Sequence, residues 1–158
     1  PRAGNQHAMS SLVKLLYDVG ALGRRYNRVH ESVCGLSPRS IMRSWRRADA
    51  EDRAARVDEL GRILSQLQEA RTELMALDEE AISVRRGREI HRTLLDYIGA
   101  LSLAGSRLEA LCREGGDEPG RSPTRAGDQS NRLKIAYDDA VQNHRRLAEL
   151  LNELVATL

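Results

Sequence analysis

AEDRAARVDELGRILSQLQEARTELMALDEEAISVRRGREIHRTLLDYIGALSLAGSRLEALCRE, residues Ala50–Glu114, runs for 65 residues without a proline. Its apolar residues recur at helical spacing. Val57, Leu60, Leu64, Leu67 and Leu74 form one seam, and Ile63, Ala70, Leu77 and Val84 form a second stripe beside it. An apolar face this wide predicts burial against two neighbours rather than one. A further set, Ile90, Leu94, Tyr97, Leu101, Ala104, Leu108 and Leu111, follows in a heptad phase shifted by about two positions. A single helix over the whole stretch would be about 98 Å long at 1.5 Å per residue. The helices expected on either side are much shorter and could not cover it. A turn between Asp78 and Arg88 is therefore expected, with Gly87 in the run Arg85-Arg86-Gly87-Arg88 as the stop signal. The alternative is a continuous rod that pairs with a second subunit. Gly99, Ala100, Ser102, Ala104 and Gly105 keep the second half thin, which marks it as the central helix.

On the N-terminal side, Leu12, Val19, Tyr26 and Val33 recur every seven residues, with Leu15, Leu22, Val29 and Leu36 between them. This a/d pattern predicts a helix from about Ser10 to Cys34, stopped at Gly35. Ser37-Pro38 reads as an N-cap followed by a proline in the first helical position, opening a short helix with Ile41, Met42 and Trp45 on it. On the C-terminal side, residues 115–130 are rich in Gly and Pro and are expected to be a flexible loop. The last helix is expected over Asn131–Leu158, with Leu133, Tyr137, Ala140, His144, Leu147, Leu151 and Leu154 in its seam. Residues 1–8 read as an expression-tag remnant ahead of Met9. Residues 9–158 then form a single all-α domain. Its expected form is an antiparallel helical bundle of three to five helices with coiled-coil-like heptad packing, compact or elongated.

Composition narrows the function classes. The chain has no Phe, one Trp and four Tyr, so its core is aliphatic. A net charge of +2 gives no global argument for nucleic-acid binding. The charge is uneven, however. Residues 9–48 carry eight basic and two acidic side chains, whereas residues 49–78 carry four basic and eight acidic ones. Helices from the two regions should attract each other. Cys34 and Cys112 have neither metal-ligand spacing nor a disulfide framework, which fits buried thiols in a reducing, cytoplasmic compartment. No run approaches the roughly 18–20 apolar residues of a membrane span. No cofactor or metal motif is present in the sequence: it lacks a phosphate-binding Gly-rich loop, His-Glu-x-x-His and Cys-x-x-Cys.

The most distinctive segment is 38–47, where Arg39, Arg43, Arg46 and Arg47 surround Ile41, Met42 and Trp45. Arginines neutralise phosphates and Trp45 can stack on a base or enter an anionic membrane interface. Against this, the apolar trio can pack on the bundle while the arginines pair with acids. Ile63, Ala70, Leu77 and Val84 are the candidate face for a partner helix. His144 interrupts an apolar seam, a position that commonly fixes register. Arg86 with His91, and Arg25 with His30, each enclose four residues, a spacing similar to that of HEPN-type ribonucleases. With this much arginine about one such match arises by chance. Gly87 and Tyr26 also stand where that family usually has a polar residue. The reading that results is a non-catalytic helical interaction module, an adaptor, assembly or chaperone-like subunit, binding another protein or itself through an apolar helix face. Nucleic-acid or anionic-membrane binding through 38–47 is the alternative, and a HEPN-like ribonuclease is the remote one.

Overall fold

A computed structural model describes residues 2–34, 50–83, 85–114 and 123–157, with side chains over 11–33, 52–83, 85–113, 129 and 131–157. Five helices make up the described residues, and there is no strand among them: α1 Arg2–Cys34, α2 Ala50–Met75, α3 Glu79–Ile82, α4 Gly87–Glu114 and α5 Pro123–Ala156. They pack against one another as a helical bundle. No described helix is long and apolar enough to cross a membrane.

The long proline-free stretch does break, but not where Gly87 predicts. α2 ends at Met75, and its last turn tightens through bonds from Ala76 N to Glu73 O (3.2 Å) and from Leu77 N to Leu74 O (3.4 Å). Asp78 then restarts the chain as the N-cap of α3, its Oδ1 accepting from Ala81 N at 2.9 Å. Gly87 opens α4 instead of closing a helix. The left-handed backbone falls one residue earlier, at Arg86 with φ 58°. That conformation costs a non-glycine residue about 1 kcal/mol.

Two other expectations shift. α1 begins at Arg2, so the helix takes in residues set aside as a tag remnant. α5 begins at Pro123, inside the stretch expected to be a loop. Proline suits a first helical position, because its fixed φ is already helical and no N–H is wasted there. The expected short helix over 38–47 lies outside the described residues.

α4 is the centre. It packs against every other helix, and Leu94, Leu101, Ala104 and Leu108 on it are fully buried. His91 lies beside Leu74, and the backbone of Gly105 comes close to Leu64, so α2 and α4 run antiparallel. Tyr97 with His144, and Arg107 with Ala136, set α4 and α5 antiparallel in the same way. A side chain at Gly105 would stand 3.2 Å from Leu64 Cδ2. At Gly99 nothing lies within 4 Å, so only one of these two glycines serves a close approach.

α1, α2 and α4 form a three-sided apolar core. Leu12, Leu15, Val19, Leu22, Tyr26, Val29 and Val33 of α1 are buried. Leu60, Ile63, Leu67, Ala70 and Leu74 of α2 are buried with them. Each buried Leu or Ile contributes about 1.5–3 kcal/mol relative to exposure. The expected attraction between the basic and acidic regions is present as Arg25 Nε to Glu59 Oε1 at 2.8 Å, with the same guanidinium reaching Gln66 Oε1.

Candidate functional site

α5 is attached differently. Among the described residues, no Cα of α1 lies within 8 Å of a Cα of α5. The two helices meet through large side chains. Tyr26 and Tyr137 share a hydrogen bond, Oη to Oη 2.7 Å, and the Tyr137 hydroxyl also bonds His30 Nδ1. The His144 ring lies edge-on to Tyr26 with centroids 5.4 Å apart, and Tyr97 Oη meets His144 Nε2 at 3.0 Å. Three of the four tyrosines thus converge with two of the four histidines between α1, α4 and α5. The sequence places Tyr26, Tyr97 and the pair Tyr137 and His144 on three separate seams. Their meeting depends on how the helices are rotated, which no spacing within one helix reveals.

Gly23 makes room for this cluster. A Cβ there would stand 2.6 Å from Tyr97 Oη, a distance no packed structure accepts. The tyrosine hydroxyl therefore occupies the space of a missing side chain on α1.

The spacing leaves a cleft of about 410 Å³. Asn27, His30 and Glu31 of α1 line one side; His144, Arg145, Ala148, Glu149 and Asn152 of α5 line the other. The α5 residues fall on one face over about 12 Å of helix. Seven of the eight residues lining the cleft are polar or charged, with exposed rims and a buried His144. Burial holds the His144 imidazole down at about 4, helped by Arg145 and His30. Burial and then Arg145 lower His30 from its ordinary value, against the pull of Glu31 and Asp138. Both rings are neutral at pH 7. Burial raises the Tyr97 hydroxyl, which keeps its proton.

The other sequence candidates fall as follows. Ile63 and Ala70 are buried in the core and Leu77 packs against it, so these residues are not an open docking face; Val84 lies outside the described residues. The stripe is consumed because α2 packs on both α1 and α4. Arg39, Arg43, Trp45, Arg46 and Arg47 also lie outside the described residues. Arg25 turns to Glu59 and Gln66 on α2, while His30 turns to Tyr137 on α5. His91 Nε2 donates to Leu74 O at 2.8 Å, satisfying a carbonyl at the end of α2, and Arg86 reaches Thr157 just past α5. Neither Arg–His pair is directed at a common point. No group of three or more His, Cys, Asp or Glu side chains among the described residues is arranged to hold a metal. Cys112 is buried in the core.

No family model, curated protein or solved structure matches this chain.

Proposed function

We propose that the protein is a non-catalytic interaction module that receives a short extended segment of a partner polypeptide in the cleft between α1 and α5. The observation that carries this reading is the separation of those two helices. A bundle gains most by closing its helices together, yet here bulky tyrosine and histidine side chains hold α5 away from α1 and a polar cleft results. Its volume falls in the range of ligand sites, about 300–1,000 Å³. Its length of about 12 Å suits three to four residues of extended chain at ~3.3 Å each. The Asn27 and Asn152 carboxamides each offer a donor and an acceptor, as a peptide group requires, and neither is hydrogen-bonded among the described residues. The coiled-coil-like packing expected of α1 is supported by its buried residues at seven-residue intervals. The docking element in this reading is the polar cleft; the apolar stripe on α2 serves the core.

A displayed library of random peptides tests it. Enriched peptides should bind the wild-type chain and lose at least tenfold in affinity against Ala148→Trp, which fills the cleft from its half-buried wall, while circular dichroism stays unchanged. Peptides that bind both proteins equally, or no enrichment at all, would overturn the reading.

A further inference from the structure

We propose that the inner end of this cleft is a subsite for a free C-terminal carboxylate, bound by the Nδ1–H of His144 and the guanidinium of Arg145. The proposal rests on the cleft being a peptide site and specifies which end of the peptide enters it.

The argument begins with a count of protons. Tyr97 Oη and His144 Nε2 are hydrogen-bonded, and neither side chain has another hydrogen-bond partner among the described residues. Between them a neutral imidazole and a phenol hold two acidic protons, one N–H and one O–H. If Nε2–H donated to the phenol, the buried hydroxyl proton would have no acceptor and Nδ1 no donor. If the phenol donates to Nε2, the hydroxyl is satisfied and the imidazole proton sits on Nδ1. The second arrangement leaves one group unmet and the first leaves two. An unmet buried group costs about 1–3 kcal/mol, so the second prevails. His144 is 95% buried, its relative exposure being 5%, and it lines the cleft. A buried donor without an acceptor in the chain is a place for an acceptor from outside it.

Arg145 follows on the same cleft wall. It has no ion pair or hydrogen bond among the described residues, and its charge is felt by both histidines. A donor and a fixed positive charge together select an anionic acceptor. The cleft ends here. His144 is its first lining residue on α5, and the preceding seam residues Tyr137, Ala140 and Val141 are buried. Tyr26, Tyr137 and His30 are hydrogen-bonded across that end. These bonded side chains lie across the path of a chain entering from the Asn152 side, which favours a carboxylate at the end of the chain. Glu31 and Glu149 on the rims favour a basic side chain upstream in the same segment.

Three pools of tetrapeptides, with basic residues at the second position, form the test. One pool ends in a free acid and one in an amide; the third ends in an amide but carries Glu at the last position. Affinities are measured by calorimetry at pH 7.5 for wild type, Arg145→Gln and Ala148→Trp. Two-bond ¹H–¹⁵N spectra of the free protein report the His144 tautomer. The expected result is at least tenfold tighter binding of the free acid than of either amide. Arg145→Gln should erase that difference without weakening the amides, and the tautomer should be Nδ1–H. Equal binding of free acid and plain amide, both abolished by Ala148→Trp, overturns the carboxylate subsite but leaves the cleft as a peptide site. Tight binding of the Glu pool overturns the assignment to a chain terminus. An Nε2–H tautomer removes the donor and overturns the proposal. Failure of every pool overturns both this proposal and the cleft reading.

Discussion

The α1/α2/α4 side of the bundle and the α1/α4/α5 side use different chemistry for the same task. The first is closed by aliphatic side chains, with Leu60, Leu67, Leu94 and Leu101 all fully buried. The second is spanned by tyrosine and histidine, and on it α1 stands apart from α5 while both pack on α4. Aliphatic packing is tolerant of small shifts and indifferent to pH. A hydrogen-bonded aromatic bridge has a fixed length and contains groups that titrate. The comparison teaches that one bundle can be rigidly closed on one side and held open on the other by residue type alone.

The largest expected effect lies on the closed side. Leu67→Ala should cost about 3 kcal/mol, within the 2–5 of large-to-small core changes, read as a shift of the urea midpoint at constant slope. A cost below 1 kcal/mol would mean the aliphatic side is not the rigid one.

Acid should act on the open side. The His144 pKa drops from 6.5 unfolded to about 4 folded, so the unfolded chain takes up its proton first. Stability is therefore full above pH 6.5 and declines as pH falls through the window from 6.5 to 4, by about 3 kcal/mol at the limit. The lowered value of His30 adds in the same direction. Glu59, held down by its bond from Arg25, loses its contribution only as pH falls below its ordinary 4.5. Urea titrations between pH 7 and 5 thus isolate the histidines. His144→Gln should flatten the slope there, and an unchanged slope would remove His144 from the account.

Tyr137→Phe deletes the hydroxyl shared by Tyr26 and His30 while keeping the ring. A loss of about 1–2 kcal/mol is expected from the orphaned partners. A neutral result would show that ring packing alone spaces α5 from α1. Arg25→Ala should be the mildest change, about 0.5 kcal/mol, because its pair with Glu59 is part-exposed and screened. Raising salt should shrink even that difference between the two proteins.

Much of this architecture is legible in the chain. The seam of α1, the break between Asp78 and Arg88 and the centrality of α4 follow from apolar period and helix length. Gly87 misled because the stop came from an earlier restart: Asp78 caps a new turn, and the left-handed residue is Arg86. Pro123 was hidden by the Gly- and Pro-rich sequence around it. The second stripe on α2 was visible as a stripe, but nothing in one helix tells whether its partner is another helix of the same chain. The cleft was the least legible part. His144 signals a polar seam, yet Gly23, which makes room for the Tyr97 hydroxyl, carries no chemical label at all.

The placement of α5 also sets an order of opening. It packs on α4 alone among the helices with which it makes close backbone approach. Loss of the tyrosine bridge therefore uncouples α5 from α1 while Ala140, Val141, Leu151 and Leu154 still hold it in the common apolar core on α4. The space between α1 and α5 can then widen without unpacking either helix from α4.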